Sequence, residues 1–244
     1  MRNILRIIHL FLRQALYNYL SKITNNSEPD ANVRLLPLGL CLKKARNKAR
    51  ANETNALRLV EEQTDIPAAR FVDLALQDEK TGFLLMTRVY GDRLEDVFYR
   101  VTDEARRALG KELGRCIFQL RKIQNKSKYQ VTNTLGGPTF DHRFEEKQCG
   151  PYRSNVEFFD YLTEYLEKQR AERLLSAFYA KEHRSFFTHS DIHRSNIFLR
   201  NGRLSGIIDW EPAGFKPELW EYIKALWPYW AAQDQKDVVR ARGI

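Results

Sequence analysis

Residues 188–211 read THSDIHRSNIFLRNGRLSGIIDWE, in which an Asn-Gly pair joins two apolar segments. The segments cover residues 197–200 and 203–208, and Asn201-Gly202 lies between them. Asn-Gly is the strongest signal for a two-residue hairpin turn, because both turn positions require a positive φ. The stretch therefore predicts an antiparallel hairpin whose second strand ends beside the start of its first.

Three polar side chains flank this predicted hairpin. Asn196 immediately precedes the first strand, Asp209 follows the second, and Asp191 lies on the loop just before. Carboxylate and amide oxygens are the ligands that a hard cation such as Mg²⁺ prefers. A further carboxylate facing the same point can accept the proton of a hydroxyl group. The pattern indicates a phosphotransferase, with Asp191 as the catalytic residue and Asn196 and Asp209 as the metal ligands.

This stretch resembles the catalytic segment of the aminoglycoside phosphotransferase-like family, which belongs to the protein-kinase-like superfamily. The family motif is H-G-D-x-x-x-x-N followed by I-D-W/F-E, and here Ser190 stands where the motif has its glycine. Residues 214–226, GFKPELWEYIKAL, are similar to the segment that follows in fungal-type members. Residues 136–144 and 149–152 resemble inserts of the family, and the resemblance covers about residues 33–228.

The resemblance implies a fold and a set of ligands. The expected fold class is α+β, a two-lobed protein-kinase-like fold with a small N-lobe of sheet plus helix and a mainly helical C-lobe. We assign residues 33–90 to the N-lobe and residues 91–244 to the C-lobe. The implied cofactors are ATP and Mg²⁺. The implied reaction transfers the γ-phosphoryl group to a hydroxyl of a small molecule, which the sequence does not identify.

A lysine and a glutamate of the predicted N-lobe match the family residues that hold the ATP phosphates. Lys43 ends a short strand, and a helix over about residues 52–63 follows with Glu53 in its first turn. A strand lysine paired with a helix glutamate fixes an ammonium group on the α- and β-phosphates. Residues 43–50 form a basic run, however, so Lys44 is the alternative to Lys43.

Residues 84–90 predict an apolar strand that leads into Gly91, the expected hinge between the lobes. By the resemblance, backbone groups near Thr87 and Val89 bind the edge of the adenine. Met86 is expected at the back of the same pocket, where a core methionine is the simpler explanation.

Two other functions stay open. The turn at Pro37–Gly39 offers only one glycine, whereas a glycine-rich loop provides a row of N–H groups for phosphates. This absence favours a pseudokinase that binds or scaffolds without efficient transfer. A protein kinase is the third possibility, but the short link from Glu211 to the helix near Trp220 contains no activation segment.

Further residues of the predicted C-lobe have expected roles in structure or in substrate binding. The apolar spacing of residues 105–123 predicts one helix, and Ser154 with Glu157 forms a capping box that begins another. By the resemblance, His189 holds the catalytic loop by hydrogen bonds. A zinc site of His189 and His193 is not expected, because no third ligand is evident. Candidate contacts of the acceptor are His193, Asp141 and Arg143.

Composition narrows the class of protein. The 244 residues are 43% hydrophobic, enough to bury a core in two lobes of unequal size. The formal net charge is +9, but basic residues are interleaved with acidic ones, so we expect no nucleic-acid partner. The widely spaced Cys41, Cys116 and Cys149 favour a reducing compartment, and the expected location is the cytoplasm. The sequence leaves the oligomeric state open.

Residues 1–28 stand apart as a basic N-terminal extension. No acidic residue occurs before Glu28, and apolar residues fall at helical spacing, which predicts an amphipathic helix. His9 and Arg13 interrupt the apolar run, so we expect no transmembrane segment. The helix is packed on the N-lobe, is a mitochondrial presequence, or anchors the chain to a membrane surface. Because the phosphate-binding candidates lie after residue 33, we expect it to be dispensable for nucleotide binding.

Overall fold

The structure, a computed structural model, describes residues 2–23, 32–45, 47–76, 82–140, 148–164, 176 and 183–225. The elements before the hinge are α1 (Arg2–Ile23), β1 (Val33–Leu36), β2 (Leu40–Ala45), α2 (Asn47–Gln63), β3 (Phe71–Leu76) and β4 (Gly82–Thr87). Their strands form one antiparallel sheet in the order β1-β2-β4-β3. The start of α2 lies earlier than the sequence predicted, and β4 ends earlier, because residues 88–91 leave the sheet to form the hinge.

Helices cover both faces of this small sheet. On one face, Tyr17 of α1 joins a cluster with Leu42, Phe83 and Leu85. On the other face, Leu84 packs in the cluster that contains the apolar residues of α2. The first four residues of β4 are all buried. A strand with both faces covered has a continuous apolar sequence rather than an alternating one, which explains the uninterrupted apolar run of β4.

Polar side chains of α1 hold the helix against the edge of the sheet. Arg13 donates to both carboxylate oxygens of Asp73, and the Tyr17 hydroxyl donates to the same carboxylate at 2.6 Å. Nε2 of Gln14 donates to the carbonyl of Leu76 at 2.8 Å, which satisfies an acceptor on the edge strand β3. This packing favours the first of the three interpretations over a presequence, and a helix packed on one side can still contact a membrane with its other side. None of the described helices has the length and hydropathy needed to cross a bilayer.

Beyond the hinge, helices alternate with short strands. The described elements are β5 (Asp92–Arg93), α3 (Leu94–Val97), α4 (Asp103–Leu120), β6 (Thr132–Asn133), β7 (Thr139–Phe140), β8 (Gln148–Cys149), α5 (Asn155–Thr163), β9 (Ser185–Thr188), β10 (Ile197–Arg200), β11 (Arg203–Ile207) and β12 (Gly214–Pro217). Residues 220–225 are helical. Oγ of Ser154 accepts from the N–H of Glu157 at 3.1 Å, so the predicted cap begins α5.

The hairpin predicted from Asn201-Gly202 is present. These two residues have φ angles of 54° and 74°, and β10 pairs antiparallel with β11. Beyond the last strand pair, the N–H of Ile208 donates to the carbonyl of Asn196 at 3.0 Å. The backbone on either side of the hairpin is therefore joined at the end that carries the predicted polar residues.

The turn Pro37–Gly39 lies against the hinge. The N–H of Arg88 donates to the carbonyl of Gly39 at 2.8 Å, and a Cβ added at Gly39 would lie 2.8 Å from the Tyr90 hydroxyl. Lys43 is further along β2, away from this turn. The expectation that this turn stands in the place of a glycine-rich loop is therefore wrong.

Candidate active site

Lys43 forms ion pairs with carboxylates of both lobes. Its Nζ lies 3.1 Å from Oε1 of Glu53 on α2 and 2.5 Å from Oδ1 of Asp209 beyond β11. Lys44 is exposed instead, and its ammonium group lies 5.9 Å from the centre of the Phe83 ring. Successive side chains of a strand point to opposite faces. The structure therefore directs Lys43, and not its neighbour, into the cleft between the lobes.

Glu53, Asp209 and Glu211 bring carboxylate oxygens within 4.8 Å of one another. The backbone of Asp209 has a φ of 66°, a left-handed conformation that is rare outside glycine and is often found at functional sites. Carboxylate oxygens in this number suit a hard divalent cation, so the donor set fits Mg²⁺. Glu211 was not among the ligands predicted from the sequence, although it lies within the I-D-W-E motif.

Three side chains surround the carboxylate of Asp191. Nδ2 of Asn196 donates to Oδ2 of Asp191 at 3.0 Å, and Nε2 of His193 lies 3.2 Å from the same oxygen. Nζ of Lys224 lies 3.9 Å from Oδ1. Because the amide nitrogen of Asn196 is committed to Asp191, the amide oxygen is the Asn196 atom that could bind a cation.

These contacts keep the Asp191 carboxylate charged. Burial by itself would raise the pKa of Asp191, but the hydrogen bond with His193 and the electrostatic interactions with His193 and Lys224 outweigh it, so the pKa is lowered. A carboxylate with a lowered pKa is ionised at neutral pH. Asp191 can therefore accept a proton without first losing one.

His189 holds the catalytic loop in place. Its Nδ1 accepts from the N–H of Asp191 at 3.1 Å, so Nε2 carries the proton that is donated to the carbonyl of Ile208 at 2.9 Å. Burial lowers the pKa of His189, which keeps the ring neutral. The ring also makes an edge contact with Trp210 at 4.5 Å between centroids. These contacts are the hydrogen-bonded structural arrangement that the sequence analysis expected of His189.

Two buried ionisable side chains, Lys216 and Glu221, lie beneath the same loop. Glu221 accepts from the N–H groups of His189 at 2.7 Å and Ser190 at 3.2 Å, and Nζ of Lys216 donates to Oγ of Ser190 at 2.9 Å. Burial raises the pKa of Glu221 to about 7, although the two N–H groups and Lys216 oppose that shift. Ser190 has a φ of 69°, and this conformation explains why the family motif has glycine at the position.

The lobes enclose a cavity of about 260 Å³. Lys43, Asn196 and Asp209 line its polar part. A pocket that combines an apolar part with a few convergent polar groups is typical of a ligand site. Apolar residues that line the cavity include Leu35, Cys41, Ala69, Met86, Val89 and Ile208.

The hinge offers fewer donors than the sequence analysis expected. The N–H of Thr87 donates to the carbonyl of Arg70 at 2.9 Å, so it is committed within the small lobe. In the described part of the chain, no backbone carbonyl takes up the N–H of Val89. Val89 is held by Gly206, where an added Cβ would lie only 2.3 Å from Cγ1 of Val89. Of the two residues, Val89 remains the candidate N–H donor, and Thr87 lines the cavity.

Comparison with protein families gives this geometry a context. A family model described as the phosphotransferase enzyme family (APH) matches residues 30–243. The chain belongs to this family. A comparison with curated protein sequences finds no match.

Solved structures of aminoglycoside phosphotransferases share the fold of this phosphotransferase family member. The GDP complex of an aminoglycoside 2'-phosphotransferase-IIIa mutant has a TM-score of 0.60 at 15% identity, over 89% of this chain and 76% of that chain. A ternary complex of APH(4)-Ia with ADP and hygromycin B has a TM-score of 0.58 at 14% identity, over 90% and 77%. An apo form of APH(4)-Ia gives 0.57 at 16% identity, over 82% and 69%. The predicted two-lobed kinase-like fold is thereby confirmed.

Asn52 links the two lobes of this phosphotransferase family member behind the site. Its Nδ2 donates to the carbonyls of Glu211 at 2.8 Å and Ala213 at 2.9 Å, and its Oδ1 accepts from the N–H of Thr134 at 2.9 Å. Asn52 precedes Glu53, so these bonds fix α2 relative to the acidic cluster of Glu53, Asp209 and Glu211. The sequence analysis took Asn52 only as the start of a helix. Its one sequence signal is an asparagine, a poor helix former, that lies within α2.

The sequence analysis also missed the roles of Lys216, Glu221 and Lys224. All three are buried, with 0%, 3% and 2% exposure. Their signal in the sequence is charge within an otherwise apolar and aromatic segment, where a solvated surface charge is the usual interpretation. Two predicted acceptor contacts, Asp141 and Arg143, lie outside the described residues.

Proposed function

We propose that the chain is an ATP- and Mg²⁺-dependent phosphotransferase that transfers the γ-phosphoryl group to a hydroxyl of a small molecule. The observation that carries the proposal is the contact between Asn196 and Asp191. Asn196, in the polar part of the cavity wall, donates a 3.0 Å hydrogen bond to the ionised carboxylate of Asp191. The proton acceptor Asp191 is thus held next to Asn196, a candidate cation ligand. Asn196 lines the same cavity as the ion pair of Lys43 and Asp209.

Each residue then has a distinct task. Mg²⁺–ATP, when bound, supplies the γ-phosphoryl group. Lys43, held by Glu53, binds the phosphates, while Asp209 and the amide oxygen of Asn196 bind the metal. Asp191 orients the acceptor hydroxyl and takes its proton. Phosphoryl transfer depends mainly on positioning and charge neutralisation. The contacts of Lys43 with Glu53 and Asp209 provide fixed charges for positioning the phosphates and for neutralising their charge.

Two observations support a small-molecule acceptor. Between Glu211 and the helical residues 220–225, the chain forms β12, which is paired with β9 and β6. The segment is therefore part of a sheet rather than a loop that could bind a peptide. The structural neighbours also include proteins solved with hygromycin B, kanamycin or gentamicin, each a hydroxyl-bearing small molecule.

A pseudokinase is the second candidate, and one feature of the small lobe favours it. In the described residues, no glycine-rich loop covers the phosphate-binding end of β2. The chain could then bind nucleotide weakly, through Lys43 and the acidic cluster, without efficient transfer.

Thermal unfolding with nucleotide followed by an activity screen tests the proposal. A ligand at 100 times its Kd stabilises the folded state by about 2.7 kcal/mol, so ATP with Mg²⁺ should raise Tm and ATP with EDTA should not. GTP serves as the control for the base, because one neighbour was solved with GDP. Phosphorylation of hydroxyl-bearing metabolites is then screened. A Tm shift without turnover on any acceptor supports the pseudokinase, and no shift with either nucleotide contradicts both candidates.

The expected compartment is part of the same proposal. Cys41, Cys116 and Cys149 are free thiols and all are buried. Free buried cysteines are typical of a reducing compartment, which supports the cytoplasm as the location of the reaction.

A further inference from the structure

α1 directs apolar side chains to solvent. Leu12, Leu16 and Tyr19 are 60%, 51% and 60% exposed. Their spacing of four and three residues places them on one face of the helix. Arg13 and Tyr17, which bind the small sheet through Asp73, lie on the other side.

This orientation leaves more apolar surface exposed than is usual, because a surface helix of a globular domain buries its apolar stripe and exposes its polar stripe. Among the described side chains of α1, Arg13, Gln14 and Tyr17 donate hydrogen bonds to the sheet, and Tyr17 and Leu20 pack on its apolar cluster. Three exposed apolar side chains on one face of a helix, those of Leu12, Leu16 and Tyr19, mark a surface that binds something.

The C-terminal end of α1, next to this apolar face, is basic. α1 contains four basic residues and no acidic residue. At its C-terminal end, a cavity of about 330 Å³ separates the helix from the sheet. Lys22, Arg34 and Lys44 line this cavity, and none of its lining residues is acidic. Nε of Arg34 also donates to the carbonyl of Ser21 at 2.9 Å, which joins the cavity to the end of the helix.

We propose that this outer face of the small lobe docks on an anionic lipid bilayer. An apolar helix face enters the boundary between headgroups and acyl chains, while adjacent basic side chains bind lipid phosphates. A second copy of the chain fits poorly, because pairing two such faces brings like charges together. The docking face consists of apolar Leu12, Leu16 and Tyr19 on the outer side of α1 and basic Lys22, Arg34 and Lys44 at its C-terminal end.

Docking is independent of the phosphotransferase proposal. No residue of the docking face lines the cavity that contains Lys43, Asn196 and Asp209. Binding to vesicles can therefore be measured without nucleotide, and binding of nucleotide can be measured without vesicles.

Co-sedimentation of the full chain with vesicles tests the apolar half of the docking face. The chain should bind vesicles of phosphatidylcholine mixed with phosphatidylserine, and much less to phosphatidylcholine alone. Replacing Leu12 and Leu16 together by glutamine should lower the partition coefficient on the order of tenfold for each leucine. Leu135→Gln is the matched control, because Leu135 is 57% exposed and lies in the large lobe. This control should bind like the unchanged chain.

The basic half is tested by Lys22→Gln combined with Lys44→Gln. Each lysine near an anionic surface contributes about a fivefold change in binding, and high salt should weaken binding of the unchanged chain in the same direction. Lys111→Gln is the control, because Lys111 is exposed on α4. The substituted docking-face residues are exposed as well, so Tm in the absence of vesicles should stay unchanged.

Three results would overturn the proposal. The first is equal binding to neutral and anionic vesicles, or no binding to either. The second is unchanged binding after the Leu12 and Leu16 substitutions. The third is a dimer, seen by light scattering, that these leucine substitutions convert to a monomer, because a second copy would then cover the face.

Discussion

Nζ of Lys43 lies 2.5 Å from Oδ1 of Asp209, so an ion pair crosses the cleft between the lobes. The same ammonium group binds Glu53 at 3.1 Å. One lysine thus bridges two of the three carboxylates that approach one another here. We expect Lys43 to exchange Asp209 for phosphate when nucleotide binds, and Asp209 to exchange Lys43 for the metal.

Lys43→Met should therefore abolish the stabilisation by Mg²⁺–ATP and lower turnover by at least about 10²-fold, since a positioned charge is lost. Lys44→Met is the matched control. Lys44 is exposed and lies beside Phe83, so this variant should bind nucleotide like the unchanged chain. Titration calorimetry measures the affinity of both variants for Mg²⁺–ATP. Loss of binding in the Lys44 variant alone would show that the phosphate lysine has been assigned incorrectly.

Substitution of Asp191 should separate chemistry from binding. Asp191→Asn keeps the shape of the side chain but removes the basic oxygen and its charge. It should lower kcat by about 10²- to 10⁴-fold, the usual contribution of a positioned general base. The affinity for Mg²⁺–ATP should change little, because Asp191 contacts Asn196, His193 and Lys224 rather than Lys43.

Asp209→Asn provides the contrast for Asp191→Asn. It weakens a proposed metal ligand and breaks the contact with Lys43, so it should raise the Mg²⁺ concentration required and lower nucleotide affinity. Steady-state kinetics at several Mg²⁺ concentrations distinguish the two variants. If both bind and turn over like the unchanged chain, the chemistry does not occur at these carboxylates.

Lys224→Met should change the pH dependence of the reaction. The positive charge of Lys224 helps to lower the pKa of Asp191, so removing it raises that pKa. Because the ionised carboxylate is the active form, the acid limb of the kcat/KM profile should move to higher pH. Lys224→Arg keeps the charge and should leave the limb in place. If Lys224 is only structural, stability will fall and the acid limb will not move.

Glu221→Gln should flatten the dependence of stability on pH. The pKa of Glu221 is raised from 4.5 to about 7, so between these pH values the folded state binds a proton that the unfolded chain has lost. The free energy of unfolding must then fall as pH rises from 4.5 to about 7, by roughly 3 kcal/mol in total. Urea unfolding across this range should show the slope in the unchanged chain and not in Glu221→Gln. Glu61→Gln, at an exposed glutamate, should keep the slope.

Local features of the site could be predicted from the sequence. Asn201-Gly202 determines the hairpin through the backbone preferences of two residues, and the observed φ angles are both positive. Asp191, Asn196 and Asp209 flank that hairpin within one stretch, so their proximity required no knowledge of distant contacts. The choice between Lys43 and Lys44 as the phosphate-binding lysine could not be made in the same way. These adjacent residues differ only in the face of β2 to which their side chains point.

Contacts between distant segments were not predictable. Asn52 meets Glu211 across 159 positions of the sequence, and Glu221 meets Ser190 across 31. Polar residues of this kind carry no periodic pattern, and their partners are determined only when the segments pack. The amphipathic pattern of residues 2–23 predicted that this segment is a helix. The usual rule places the apolar face of such a helix inward, whereas in the structure the side that carries Arg13 and Tyr17 contacts the sheet.

Two tyrosines of α1 test this packing directly. Tyr17 is 6% exposed, packs 5.9 Å from the Phe83 ring between centroids, and donates to Asp73 at 2.6 Å. Tyr17→Ala should lower the free energy of unfolding by about 3 kcal/mol, because it removes a buried aromatic ring and leaves a cavity. Tyr19→Ala, at a residue 60% exposed, should stay within about 0.5 kcal/mol of the unchanged chain.

The same comparison decides whether the helix is dispensable. Removal of residues 1–29 would uncover Leu42, Phe83 and Leu85, so we expect that variant to have a lower Tm than the Tyr17→Ala protein. Nucleotide should still stabilise any folded fraction in the presence of Mg²⁺, since Lys43 and Asp209 are retained. If the truncated chain melts like the unchanged chain, α1 contributes nothing to the small lobe, and Tyr17→Ala should then be as neutral as Tyr19→Ala.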